Sequence, residues 1–326
     1  MRKANKTMKE TIEVYTFSLR KSRSPKKLSF AMGADIYKLV KKEFVNYVHN
    51  STGDMPAEKR TVKIPTAKDG EKFWGFDDKM RCFYGLIESG IYGKSLEIAH
   101  KDDPEKILYQ SKKEEALMKP FFYLIGIPHV GDVAYLILER TDNEGVFPMF
   151  RSIMKTFLDK NLGSEDDKYS IDFSNYLSKE YVMSLKNGTL KTIRFNLRSL
   201  PEDGADKYFL KDLGDDIQVS LSVTFRGGLM PGSKIRKAIE DPNKIFTSYD
   251  MKGLFGDSHK SIITTSKING VEKDRTVYLD DEYAKQIRPY YVLDVMENSR
   301  GYSEYASIRD AVMKFIKDNE DLSKLV

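Results

Sequence analysis

The chain has 326 residues, of which 40% are apolar and 12% are aromatic, and its net charge is +5. This composition supports a folded core and excludes a disordered chain. The single cysteine, Cys82, excludes an internal disulfide and a zinc site built from cysteines. The longest apolar runs are about half the length that a membrane-spanning helix needs, and residues 1–14 lack the apolar region of a secretion signal. We therefore expect a cytoplasmic protein.

Positive charge is concentrated near the N-terminus. Residues 1–64 contain 15 Lys and Arg but only 6 Asp and Glu, so this segment carries +9 and the rest of the chain carries −4. Such an asymmetry indicates either a polyanionic partner or an ordinary solvated surface.

The predicted elements begin with a strand over residues 11–19, which a basic loop follows. Five cations lie within the eight residues of this loop, separated by serines and a proline. They are Arg20, Lys21, Arg23, Lys26 and Lys27. Because cations on a flexible loop at a sheet edge need no fixed partner, they suit contacts with phosphates. A helix is predicted over residues 34–49, where apolar side chains recur at helical spacing.

An aromatic cluster comes next, at Phe73, Trp74 and Phe76. Aromatic rings can stack on nucleic-acid bases, but large aromatic side chains serve more often in packing. We therefore expect a core or lid contact here.

The apolar centre of the first half is a predicted β-hairpin over residues 118–140. Its two runs, FFYLI and VAYLIL, flank a turn rich in Pro and Gly. Further strands are predicted over 80–88 and 94–99, and an amphipathic helix over 149–162. The helix should close over the hairpin.

The second half shows a clearer strand pattern. Strict alternation over residues 217–225, and a similar pattern over 192–197, predict an antiparallel sheet with one solvent-facing side. Asn-Gly at 269–270 between two β-rich runs predicts a hairpin. An apolar stripe predicts a closing helix over 303–317, packed on its own sheet or on a second subunit.

These patterns together predict an α+β protein of two domains, each a mostly antiparallel sheet with packed helices. A polar segment at 163–170 lacks apolar periodicity and marks the boundary. The predicted domains are residues 1–162 and 190–326, joined by a hinge or linker helix within 163–189.

Five more cations in the second half are candidates for phosphate contact. Arg194 and Arg198 fall on the solvent-facing side of the predicted sheet, and Lys234, Arg236 and Lys237 fall at a predicted helix start. Cations and free backbone N–H groups at a helix start suit an anion, although capping by Ser233 explains the same pattern. These side chains and the basic loop are the candidate nucleic-acid-binding residues.

No motif in the chain predicts catalysis. Residues 227–234, G-x-x-x-x-G-S-K, exchange the last two positions of a phosphate-binding loop, and Pro231 removes an N–H from it. The four histidines are too dispersed in sequence for a multi-histidine metal site, and the Asp-Asp pairs are typical of turns. The sequence therefore assigns no catalytic residue, no metal ligand and no cofactor.

Three stretches resemble the RexA-type phage-exclusion proteins in order, spacing and character. The first is KPFFYLIGIPHVGDVAYLILERTDNEG with the helix MFRSIMKTFL; the second is IQVSLSVTF with the basic helix SKIRKAIEDPNKIF; the third is HKSIITTSKINGVEKDRTVYL with the terminal helix. The resemblance implies a two-domain α+β protein that dimerises, binds DNA with little sequence preference and works with a membrane partner protein in abortive defence against phage.

The resulting interpretation is a cytoplasmic phage-defence protein that binds DNA through basic surfaces. Two alternatives stay open. One is a metal-dependent nuclease acting in a defence system, and the other is a non-catalytic module that senses a phage component.

Overall fold

The computed structural model describes most of the chain in segments. The described residues are 6–21, 24, 26–30, 35–51, 54–55, 59–65, 72–142, 144–162, 169–176, 178, 189–197, 219–224, 259–268, 271–278 and 290–324. The chain divides into two compact units. Unit 1 comprises Met1–Tyr176 and Tyr290–Val326, and unit 2 comprises Leu177–Pro289.

Unit 1 contains a large antiparallel sheet, which among the described residues has ten strands. Its strands are β1 (Thr7–Lys21), β2 (Lys27–Leu28), β3 (Asp54–Met55), β4 (Arg60–Lys63), β5 (Trp74–Asp77), β6 (Cys82–Ile91), β9 (Lys119–Gly126), β10 (Ala134–Arg140), β11 (Tyr169–Asn175) and β16 (Tyr290–Met296). A separate two-stranded sheet consists of β7 (Glu97–His100) and β8 (Asp103–Gln110).

The long strand β1 organises the large sheet. Residues 11–13 pair with both β10 and β16, and residues 15–17 pair with both β10 and β11. Since a strand has two edges, β16 and β11 must follow one another along one edge of β1, while β10 lies along the other. From β10 the order continues through β9, β6 and β4 to β3.

Helices cover both faces of this sheet. Helices α1 (Ile36–Ser51) and α2 (Phe147–Leu162) lie on one face, where Phe121, Tyr123 and Ile125 of β9 join their buried residues in one core. Helix α3 (Tyr305–Asp318) lies on the other face, where its Tyr305 ring is 6.4 Å from the ring of Phe122. The short helix α4 (Glu320–Ser323) follows.

The helices on both faces of the sheet explain why the sequence of the predicted hairpin consists of continuous apolar runs. Strands β9 and β10 are buried on both faces, so neither face of either strand needs polar side chains. The hairpin prediction is confirmed, with Leu138 opposite Tyr123 and Tyr135 opposite Gly126. The helix predicted over 149–162 is confirmed as α2, and the one over 34–49 as α1.

The C-terminal residues group differently from the predicted segment 190–326. Strand β16 pairs with the first half of β1, and α3 packs against β16 with the rings of Phe315 and Tyr291 4.9 Å apart. Residues 290–326 therefore belong to unit 1. Within the predicted linker 163–189, residues 169–175 form strand β11, because β1 extends past β16 and offers that edge. Residues 163–168, 177 and 179–188 lie outside the described residues, so the predicted linker helix stays a prediction.

Unit 2 contains a four-stranded antiparallel sheet. Its strands are β12 (Thr189–Leu197), β13 (Val219–Thr224), β14 (His259–Ile268) and β15 (Val271–Tyr278), in the order β13-β12-β14-β15. Ile268 pairs with Val271, which confirms the predicted two-residue hairpin connection. The α+β class is thus confirmed by helices packed on a large antiparallel sheet. Within the described parts of the chain, no helix is long and apolar enough to cross a membrane.

Candidate nucleic-acid interface

The predicted basic loop connects β1 to the short strand β2. Arg20 on β1 points toward the neighbouring strand β11, and its Nε lies 2.6 Å from Oδ2 of Asp172. The positive charge of Arg20 is therefore largely matched by a carboxylate. Lys21, Lys26 and Lys27 are exposed, whereas Arg23 lies outside the described residues.

The predicted solvent-facing side of the second sheet is present on β12 and β13. Arg194 is exposed and lies opposite Ser222 on β13 and Ser261 on β14. Ser222 and Thr224 are exposed as the alternation predicted. Arg198, Lys234, Arg236 and Lys237 lie outside the described residues. Among the predicted cations of this half, Arg194 alone is therefore placed by the described structure.

Unit 1 also contains a basic cleft that was not among the sites predicted from the sequence. The cleft has a volume of about 670 Å³ and lies between strands β4, β6 and β9 and the connection from β16 to α3. Four of its lining residues are cations: Lys63, Lys72, Arg300 and Arg309. Its two lining carboxylates, Glu88 and Glu304, leave the cleft with a net positive charge.

Glu88 holds two of these cations in place. Its Oε2 lies 3.1 Å from Nζ of Lys63 and its Oε1 lies 3.4 Å from Nη1 of Arg300. The Glu88 side chain is only 10% exposed, whereas those of Lys63 and Arg300 are 57% and 59% exposed. One buried carboxylate therefore positions two solvent-facing cations and neutralises only half of their charge.

The second carboxylate of the cleft, that of Glu304, caps the N-terminus of α3. An Oε atom of Glu304 accepts a hydrogen bond from the backbone N–H of Ser307 at 2.7 Å, which is an N-terminal helix cap. This contact directs the negative charge of Glu304 to the helix end. Arg309, one turn further along α3, pairs with its neighbour Asp310 at 2.8 Å.

Aromatic rings line the same cleft. Phe73 meets Tyr305 edge to face, with ring centroids 5.7 Å apart, and both side chains are partly exposed. The predicted aromatic cluster is thus divided by the fold: Trp74 packs against the core residue Phe83, Phe73 lines the cleft, and Phe76 is exposed beneath Nζ of Lys41. The expected core contact is confirmed for Trp74.

The buried carboxyl group of Glu139 holds one side of the cleft in place through hydrogen bonds. Ser303, which lines the cleft, donates a hydrogen bond to Oε1 of Glu139 at 2.5 Å, and the backbone N–H of Phe122 donates to Oε2 at 2.6 Å. Burial raises the pKa of Glu139 to about 7. Burial also raises the pKa of Glu10, which lies near it. The connection from β16 to α3 is therefore anchored to the sheet at Ser303.

The cleft escaped sequence reasoning because its parts are far apart in the chain. Lys63 and Arg300 meet through Glu88 although more than 200 residues separate them. The aromatic cluster at Phe73 was the one local signal that pointed to this region.

In the described ranges, no group of three or more His, Cys, Asp or Glu side chains is placed to hold a metal ion. Comparison with protein-family models, curated proteins and solved structures gave no match.

Proposed function

We propose that the protein binds DNA through basic surfaces with little sequence preference, as a cytoplasmic phage-defence protein. The basic cleft of unit 1 is the observation that carries DNA binding. The defence role, a dimeric state and a membrane partner protein are proposed on the resemblance to RexA-type proteins alone.

The chemistry of the cleft suits a sugar-phosphate backbone. Lys63 and Arg300 expose their charged ends while Glu88 restrains them, so binding a phosphate costs little side-chain ordering. Cations of this kind neutralise phosphates without reading bases, which predicts affinity without sequence specificity. The rings of Phe73 and Tyr305 add apolar surface against which an unpaired base could stack.

The salt dependence of binding tests this proposal. If three phosphates are neutralised, the logarithm of affinity falls with a slope of about −2.7, so affinity drops roughly 40-fold between about 50 and 200 mM salt. Fluorescence anisotropy with single-stranded and double-stranded DNA of unrelated sequences measures this slope. Absent binding, or affinity that does not change with salt, contradicts the proposal.

A matched pair of variants locates the contact. Lys63→Gln with Arg300→Gln should weaken binding equally for all sequences and reduce the salt slope by about 2. Lys9→Gln is the control, because Lys9 has the same 57% side-chain exposure as Lys63 and also pairs with one carboxylate, Asp294, but does not line the cleft. An equal loss of affinity per removed charge in the two variants would show that the cleft has no special role.

The predicted basic loop is tested separately. Lys26→Gln with Lys27→Gln removes two of the three exposed cations of the loop without touching an ion pair between described residues. If the loop contributes to DNA binding, the affinity of this variant should depend less steeply on salt. The reduction in slope should add to the reduction caused by the cleft variant.

A further inference from the structure

Residues 91–117 form an arm, the segment of unit 1 between β6 and β9 that contains β7 and β8. Every residue of these two strands is exposed. Seven of the nine exposed large hydrophobic residues found in the described structure lie in this arm: Ile91, Leu96, Ile98, Ile107, Leu108, Tyr109 and Leu117. Apolar surface gathered in one place marks an interaction site, whereas single exposed apolar residues do not.

The arm is held together by backbone and side-chain hydrogen bonds although all residues of its two strands are exposed. Ile98 lies opposite Tyr109 and Ala99 lies opposite Ile107, with an irregularity in register between these pairs. Ser111 closes the base, since its N–H donates to the carbonyl of Leu96 at 2.8 Å and its carbonyl accepts from Oγ of Ser95 at 2.5 Å. Tyr109 donates its hydroxyl hydrogen bond to Glu115. A two-stranded hairpin alone is marginal in water, so this shape favours a covering partner.

We propose that the arm is the surface through which this chain self-associates and that a second copy covers it, an inference that rests on the dimeric state proposed above and gives it a location. The arm contains five Lys and six Asp and Glu, so its charge is nearly balanced. A nucleic acid or an anionic membrane requires a positive surface, which the arm lacks. A balanced surface suits a copy of itself, because positive and negative groups exchange across a twofold axis.

The strands of the arm also fit a twofold arrangement. Strand β8 has eight residues and β7 has four, and among the described strands β8 pairs with β7 alone. If two β8 strands paired antiparallel about a twofold axis, the backbone N–H and C=O groups on the edge of β8 away from β7 would form hydrogen bonds in both copies equally. The seven apolar side chains are each about half exposed and together offer on the order of 600 Å² per copy, close to the ~800 Å² that each partner covers in a standard interface.

Sedimentation velocity across a wide range of protein concentration tests the proposal. The unaltered chain should form dimers, and Ile107→Ser with Leu108→Ser should raise the dimer dissociation constant at least about tenfold, which corresponds to about 1.4 kcal/mol. Val130→Ser is the control, since Val130 is the most exposed of the nine residues and lies outside the arm. A chain that stays monomeric, or a dimer equally stable in the arm variant, overturns the proposal.

A cross-linking experiment reports contact between arms directly. The one native thiol, Cys82, is buried, and burial raises its pKa to about 12, so it should not react. With a flexible bis-maleimide cross-linker, which does not require residue 108 to lie on the twofold axis, Leu108→Cys should give a covalently linked dimer, whereas Val130→Cys should not. Equal cross-linking of both variants, or none at Leu108→Cys in a chain that sediments as a dimer, places the interface elsewhere and overturns the proposal.

Discussion

Replacing Glu139 with Gln should make the protein more stable above neutral pH and leave it unchanged in mild acid. The carboxyl group is 2% exposed, and burial raises its pKa to about 7 despite hydrogen bonds from Ser303 and Phe122. In the unfolded chain the pKa of a glutamate is about 4.3. At a pH between these two pKa values, Glu139 is protonated in the folded protein and ionised in the unfolded chain.

The sign and size of the effect follow from this difference in bound protons. Below about pH 4 the Glu139 proton is bound in both states, and the stabilising contribution of the protonated group is fully present. As pH rises from about 4.3 to 7, the folded state loses stability by up to about 1.4 kcal/mol per pH unit, and the loss levels off above pH 7 at about 4 kcal/mol. Glutamine cannot ionise and keeps an oxygen for the N–H of Phe122, so the variant should lack this loss.

Urea unfolding at several pH values between about 4.5 and 8 measures the difference. Trp74 is the only tryptophan and lies in unit 1, so its fluorescence reports on the unit that contains Glu139. Glu10, whose pKa burial also raises, is present in both proteins, so the comparison isolates Glu139. Glu105→Gln, an exposed substitution on β8, controls for the loss of one carboxylate. A constant difference in stability between Glu139→Gln and the parent chain across this pH range would refute the reasoning.

Four further substitutions test the core and the basic loop. Phe44→Ala should cost about 3–5 kcal/mol in urea unfolding, because its ring contacts four other aromatic rings in the core. Gly126→Ala should cost about 1–3 kcal/mol, since an added Cβ would lie 2.0 Å from Cζ of Tyr135. Tyr135→Phe should give no rescue, because ring carbons occupy the space; recovery would contradict this account. Asp172→Asn removes the partner of Arg20 and should tighten DNA binding and steepen its salt slope by about 1, as anisotropy would detect.

The parts of the fold that the sequence predicts are those set by local patterns. The apolar runs of β9 and β10 and the turn between them are adjacent in sequence, so their pairing costs little loop closure. The pairing of β16 with β1 joins residues more than 275 positions apart and has no local signal. The domain boundary at 163–170 was placed by composition, yet β11 follows directly and returns to the sheet of unit 1 because β1 is long enough to hold two strands along one edge.

The same contrast applies to the candidate site. A count of nearby cations finds the loop after β1, but it does not detect that Asp172, 152 residues away, matches Arg20. It also does not detect that Lys63 and Arg300 lie close to one another through their shared contact with Glu88.

Local charge density therefore does not show which cations of this chain have a carboxylate of their own. The positive charge that remains at a cation depends on whether the fold places a carboxylate beside that cation alone. Arg20 has one partner to itself, whereas Lys63 and Arg300 share one that is almost fully buried. A phosphate approaching the cleft meets two exposed cations held near one another and need not displace Glu88, since the carboxylate lies beneath them. The excess charge that remains at this shared carboxylate is the physical reason to expect binding at the cleft ahead of Arg20.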